Sequence, residues 1–162
     1  MLPELTELAG PASRIIELLI GRPIKKVDVA LDVSLSDITT LAALKFALGE
    51  SSGPVTELIL RQGSMQTYGL WTVIKFDPSS PLLTTLRRLT LHVDKQADQN
   101  MWTYHARDLR GYQVLEELVI ESSPDPERQY QVDILSELRR LTFWQSCCSS
   151  LRTVKIFGTI LI

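Results

Sequence analysis

One pattern of apolar and polar positions recurs five times along the chain. An apolar residue is followed by two polar positions, a second apolar residue, one variable position and a third apolar residue. It reads Ile24-Lys25-Lys26-Val27-Asp28-Val29, then Val55-Thr56-Glu57-Leu58-Ile59-Leu60 and Leu86-Arg87-Arg88-Leu89-Thr90-Leu91. Leu115-Glu116-Glu117-Leu118-Val119-Ile120 and Leu151-Arg152-Thr153-Val154-Lys155-Ile156 complete the set. The starts are 31, 31, 29 and 36 residues apart, a regularity that single hexamers of common residues do not produce by chance. Trp71-Thr72 follows the second hexamer and Trp102-Thr103 the third, again 31 residues apart, with Leu70 and Met101 before them. The repeat therefore extends beyond the hexamer into the connecting segment.

The alternation within each hexamer predicts a strand with one buried face. Several connecting segments read as helices. Ser36-Asp37 can cap a helix through Ile38, Leu41, Leu44 and Leu48 that ends at Gly49, and Ser13 can cap Arg14 to Ile20, closed by Gly21. Val132, Leu135, Leu138 and Leu141 give helical spacing to Gln131–Trp144, while Tyr68–Phe76 and Asn100–Leu109 are weaker helical segments. Leu138 to Phe143 also fits the hexamer. It lies only 13 residues before Leu151, too near for a parallel crossover, and is read as the end of a helix. Strands alternating with helices imply a parallel sheet with right-handed crossovers. The expected fold is α/β: a leucine-rich-repeat-like solenoid of about five repeats, forming a single domain over residues 1–162.

This register assigns side chains to faces. The last two apolar positions of each hexamer point into the core, and the residues between and beside them form rows on the open face. The first row is Lys26, Glu57, Arg88, Glu117 and Thr153, whose charges alternate and can pair between neighbouring strands. The second is Asp28, Ile59, Thr90, Val119 and Lys155; the third is Ala30, Arg61, His92, Glu121 and Phe157. Mixed charge, hydroxyl and apolar groups suit a protein contact. The candidate partner-binding residues are Glu57, Ile59, Arg61, Arg88, Thr90, His92, Glu117, Val119 and Glu121. Polar stretches at Arg61–Gln66, His92–Asn100 and Glu121–Arg128 follow three of the strands, leaving their carboxyl ends, where α/β scaffolds carry function.

Composition narrows the partner. The 162 residues are 44% hydrophobic and 22% charged, with 17 Lys and Arg against 19 Asp and Glu, so net charge is -2. That balance supplies no electrostatic attraction for nucleic acid or an anionic membrane. No secretory signal is read at the acidic start, Glu4 and Glu7, and the apolar run Ile15–Ile20 is broken by Glu17. The adjacent Cys147 and Cys148 suit neither a mutual disulfide nor a zinc pattern, consistent with a cytoplasmic or nuclear setting.

Chemistry finds little support. His92 and His105 have no metal partner at helical spacing, and surface or capping roles are expected for both. Nothing marks either cysteine as activated. There is no nucleophile elbow, P-loop or dinucleotide motif. Asp125 and Glu127 flank Pro126 in a turn, and Trp71, Trp102 and Trp144 read as core or interface anchors. No catalytic residue, metal ligand or cofactor is assigned.

The hexamers, the opening Leu2-Pro3-Glu4-Leu5-Thr6-Glu7-Leu8, the phrase Gly21-Arg22-Pro23-Ile24 and the closing Cys148-Ser149-Ser150-Leu151-Arg152-Thr153-Val154 resemble the C-terminal repeat region of fungal F-box proteins with degenerate leucine-rich repeats. The resemblance implies a repeat region that holds the substrate of a ubiquitin-ligase receptor. In that family a separate F-box helix trio docks a cullin adaptor; no segment here resembles it. The expected function is a non-catalytic protein-interaction module. The alternatives are a truncated repeat fragment without a retained role, or an oligomerising scaffold that self-associates through the apolar C-terminal edge Ile160-Leu161-Ile162.

Overall fold

The computed structural model describes residues 5–31, 38–62, 68–93, 99–122 and 134–161. The hexamers Ile24–Val29, Val55–Leu60, Leu86–Leu91, Leu115–Ile120 and Leu151–Ile156 each deliver one strand. These are β2 (Lys26–Leu31), β3 (Glu57–Gln62), β4 (Arg88–Val93), β5 (Glu117–Ser122) and β6 (Thr153–Ile156). They lie side by side in chain order and all run parallel. Two strands extend the sheet to seven. β1 (Glu7–Pro11) pairs parallel with β2, and β7 (Thr159–Leu161) pairs antiparallel with β6. The sequence pattern did not reveal β1. Gly10 stands where Val29 gives an apolar residue in β2, and Leu8 precedes its partner Val27 by far less than the usual period.

The register is the one the hexamers predict. Val27, Leu58, Leu89, Leu118 and Val154 are successive partners, as are Lys26, Glu57, Arg88, Glu117 and Thr153. Each junction begins with the same device. The carbonyls of Thr6, Lys25, Thr56, Arg87 and Glu116 each accept two N–H bonds from the next strand's opening pair, at 2.8–3.1 Å. A hydroxyl just before two of the hexamers adds a further tie: Thr85 Oγ1 donates to Val55 O at 3.0 Å, and Ser150 Oγ to Leu115 O at 2.8 Å. These bonds join equivalent backbone positions of neighbouring units, so any slip in register would break all of them together.

Helices line one face. α1 (Ala12–Leu19), α2 (Ile38–Gly49) and α3 (Tyr68–Ile74) follow β1, β2 and β3, and successive helices pack on one another. α4 (Leu82–Thr85) is a single turn before β4. α5 (Gln99–His105) runs into a 3-10 segment over Ala106–Gly111, and α6 (Leu141–Cys147) precedes β6. α5 lies 31 residues after α3 at both ends, which places Trp71 and Trp102 at equivalent sites in the core. Against this layer the inner face of β2–β6 is fully buried: Val27, Val29, Leu58, Leu60, Leu89, Leu91, Leu118, Ile120, Val154 and Ile156 expose 0% of their surface. Between the helices, Tyr112 donates from its hydroxyl to Ile74 O at 2.6 Å, and Lys45 donates to Lys75 O just beyond the end of α3, with its ammonium over the Phe76 ring. A cation there complements the carbonyl end of a helix.

Three expectations need correction. Ser13 does not cap α1: the helix starts two residues earlier than expected, behind Pro11, and no side chain among the described residues caps it. Residues 134–140 are not helical; residues 136–139 form a turn, Arg140 is extended, and α6 begins at Leu141. Leu138 is still buried, because Trp144 Nε1 donates to its carbonyl at 2.9 Å and folds the turn under the indole. Phe157 leaves the open face. It adopts φ 45 in the turn before β7 and packs its ring 5.7 Å from Trp102. The apolar segment Ile160-Leu161 forms β7, the edge strand of the sheet, with Leu161 buried against the core and Ile160 exposed. The expected cap at Ser36-Asp37, residues 131–133 with Val132, and the stretches 63–66, 94–98 and 123–128 lie outside the described residues.

Candidate functional site

The residues singled out on the open face do come together, because the parallel register stacks them in rows. In the first row Glu57 lies between two cations, with Lys26 Nζ at 3.8 Å and Arg88 Nη1 at 3.9 Å. Arg88 also donates from Nε to Glu117 Oε2 at 2.6 Å. Charges from four adjacent strands thus form one lateral chain.

The second and third rows merge rather than running separately. Arg61 sits opposite Ala30, whose small side chain leaves room for it to reach diagonally back to Asp28. It binds that carboxylate through two parallel bonds, Nε to Oδ1 at 2.7 Å and Nη2 to Oδ2 at 2.8 Å. This hydrogen-bonded pairing raises the pKa of Arg61, with partial burial opposing it. On the other side Arg61 Nη1 lies 3.4 Å from His92 Nε2. Burial, reinforced by the guanidinium, depresses the pKa of His92. A neutral ring accepting at Nε2 carries its proton on Nδ1, which is buried and has no hydrogen-bond partner among the described residues. Further along, Lys155 Nζ lies 3.4 Å from Glu121 Oε1.

Between these charged groups runs a less polar strip of Ile59, Thr90 and Val119. Ile59 is half-buried, whereas Thr90 and Val119 expose only 9% and 8% of their surface. They form the floor of the face rather than projecting contacts. Glu57, Arg61, Arg88, His92, Glu117 and Glu121 stand around them as the accessible rim. The arrangement is polar at the edges and less polar at its base, a layout that suits recognition of a protein surface.

Sequence reasoning assigned only one residue of each polar pair to the site. The neighbouring column, Lys25, Thr56, Arg87, Glu116 and Arg152, lies at the amino ends of the strands, where the junction bonds hold its backbone. Arg87 Nη1 meets Glu116 Oε1 at 3.1 Å. The residue pairs that open β3, β4, β5 and β6 line an open groove of about 360 Å³. Its signal was present in the hexamers, whose second and third positions repeat as like pairs: Lys25-Lys26, Arg87-Arg88 and Glu116-Glu117.

The second histidine lies elsewhere. His105 is half-buried in the helical layer, stacked on Trp71 at 5.7 Å with an interplanar angle of 10°, and its Nδ1 is 3.1 Å from Asp108 Oδ2. It holds a tryptophan in place rather than lying on the surface. Cys147 and Cys148 are free and buried. Among the described residues no group of His, Cys, Asp and Glu could hold a metal ion, and no helix is long and apolar enough to cross a membrane. Comparison with family models, curated proteins and solved structures finds no match.

Proposed function

We propose that the chain is a leucine-rich-repeat-like protein-interaction module that recognises its partner on the open face of the sheet. The carrying observation is the alignment of Ile59, Thr90 and Val119 as a floor beneath the paired charges of Glu57, Arg88, Glu117, Arg61, His92 and Glu121. Because most charges in this patch already have internal partners, much of their desolvation on docking is offset within the chain itself, and the floor supplies apolar contact. On this reading the module resembles the substrate-binding repeat region of an F-box receptor, is not an enzyme, needs no cofactor and binds neither nucleic acid nor membrane. The buried free thiols fit a cytoplasmic or nuclear setting.

The test compares proteins captured by the wild-type chain and by Ile59→Glu, which places a charge on the floor. Partners bound through this face disappear from the variant's capture while its thermal unfolding stays cooperative. An unchanged set of partners would remove the open face as the binding surface. Capture of a cullin adaptor by these residues alone would show that docking to the ligase does not require a separate helix trio.

A further inference from the structure

The groove at the amino ends of the strands has a charge order that is its own complement. From β3 to β6 the opening pairs carry one negative charge (Glu57), two positive (Arg87 and Arg88), two negative (Glu116 and Glu117) and one positive (Arg152). Read from the other end, every sign is reversed. A two-fold axis between β4 and β5 would therefore bring Arg87 and Arg88 of one copy against Glu116 and Glu117 of the other, and Glu57 beside Arg152, at both ends at once. Self-complementarity of this kind is the requirement for a two-fold interface, in which one patch meets itself.

We propose that this groove is a docking site for a second copy of the same chain, giving a weak, salt-sensitive antiparallel dimer. The proposal goes beyond the recognition role of the open face and does not depend on it, but the two surfaces share Glu57, Arg88 and Glu117, so the dimer would cover that edge of the recognition patch. Three observations carry it. The groove spans four strands and is centred on the junction between β4 and β5, the position the axis requires. The charged side chains are available: Arg87 and Arg88 expose 61% and 51% of their side chains and Glu116 41%. Their present ion pairs do not compete strongly, since exposed pairs are worth little individually. Each carboxylate has acceptor positions for a second cation, and each guanidinium has five donors. In the dimer every charge would have opposite charges beside it on its own sheet and opposite charges facing it, a checkerboard in which both sets of contacts are retained.

The test is sedimentation of the full chain across salt concentration, with two charge-swapped variants. Between about 0.01 M and about 1 M salt the screening length falls from roughly 30 Å to about 3 Å. The dimer dissociation constant is expected to rise at least about tenfold over that range. R87E/R88E and E116R/E117R should each be monomeric alone, because each presents like charges to itself. Mixed in equal amounts they should form a heterodimer, since the swapped patches complement each other. Combining all four substitutions in one chain should restore the homodimer. A general loss of folding cannot yield two inactive variants that rescue each other, and the salt dependence of the wild-type chain is read without any variant. A wild-type chain that stays monomeric at low salt, a dimer indifferent to salt, or swapped variants that dimerise alone and not together would each overturn the proposal.

Discussion

The two faces of the same strands obey different rules. On the inner face five strands in register present pairs of aliphatic side chains, and each pair is sealed from water. On the outer face the intervening positions carry alternating charges that pair at 2.6–3.9 Å and remain partly wet. One backbone serves both, because side chains alternate across it. The inner rows should set how stable the sheet is. The outer rows should set what the sheet meets.

Substitutions at neighbouring positions can test that division. The largest effect is expected at Trp102→Ala, which empties a fully buried site in contact with Phe157 and should cost about 3–5 kcal/mol, read from urea unfolding midpoints. Leu89→Ala on the inner face should follow, at about 2–5 kcal/mol. Tyr112→Phe leaves the Ile74 carbonyl without its buried donor and should cost about 1–3 kcal/mol. Arg61→Met, on the outer face, should cost about 1–2 kcal/mol: its two bonds to Asp28 are lost, but the Arg61 side chain is 44% exposed and Asp28 20%. An outer-face loss as large as the inner-face one would erase the division.

The smallest effect is a slope. His92 has a folded-state pKa below its unfolded value of about 6.5, so the unfolded chain binds the proton more readily. Its contribution is present above that pH and is lost as pH falls through and below it. Stability should therefore decline on acidification toward pH 5, and His92→Gln should flatten the decline. An identical pH profile in the variant would mean that burial of the ring has no thermodynamic weight.

Much of this organisation was legible in the residues. The hexamers specify strand positions, and their near-constant period specifies register, because a shift by one residue would bury Lys26, Glu57, Arg88 and Glu117 and expose Leu58 and Leu89. Elements that depart from the period were not legible. β1 has Gly10 in place of an aliphatic residue, and α4 is too short to show periodicity. The spacing of Leu135, Leu138 and Leu141 fits a helix, yet a turn also satisfies it once Trp144 supplies the hydrogen bond at Leu138. Within the site, individual strand rows could be read, but the diagonal from Arg61 to Asp28 depends on the empty space above Ala30. That is a property of two neighbouring strands together rather than of any hexamer.

Gly53 shows how closely the connecting segments are stacked. A Cβ there would stand 2.8 Å from Pro23 Cα, so Gly53→Ala must push apart two backbones that follow the same course one unit apart.

The reversal at Phe157-Gly158 gives the array a polarity. Both residues have positive φ, and the chain turns back so that β7 occupies the place a further parallel strand would take. A strand running the opposite way cannot pass the twin junction bonds on to another unit, since its own amino end lies at the far side of the sheet. Beyond β6 the stacking rule therefore halts locally. Lengthening the layer by one more unit of the same kind, in a designed variant, would have to proceed from β1 or begin by removing that hairpin.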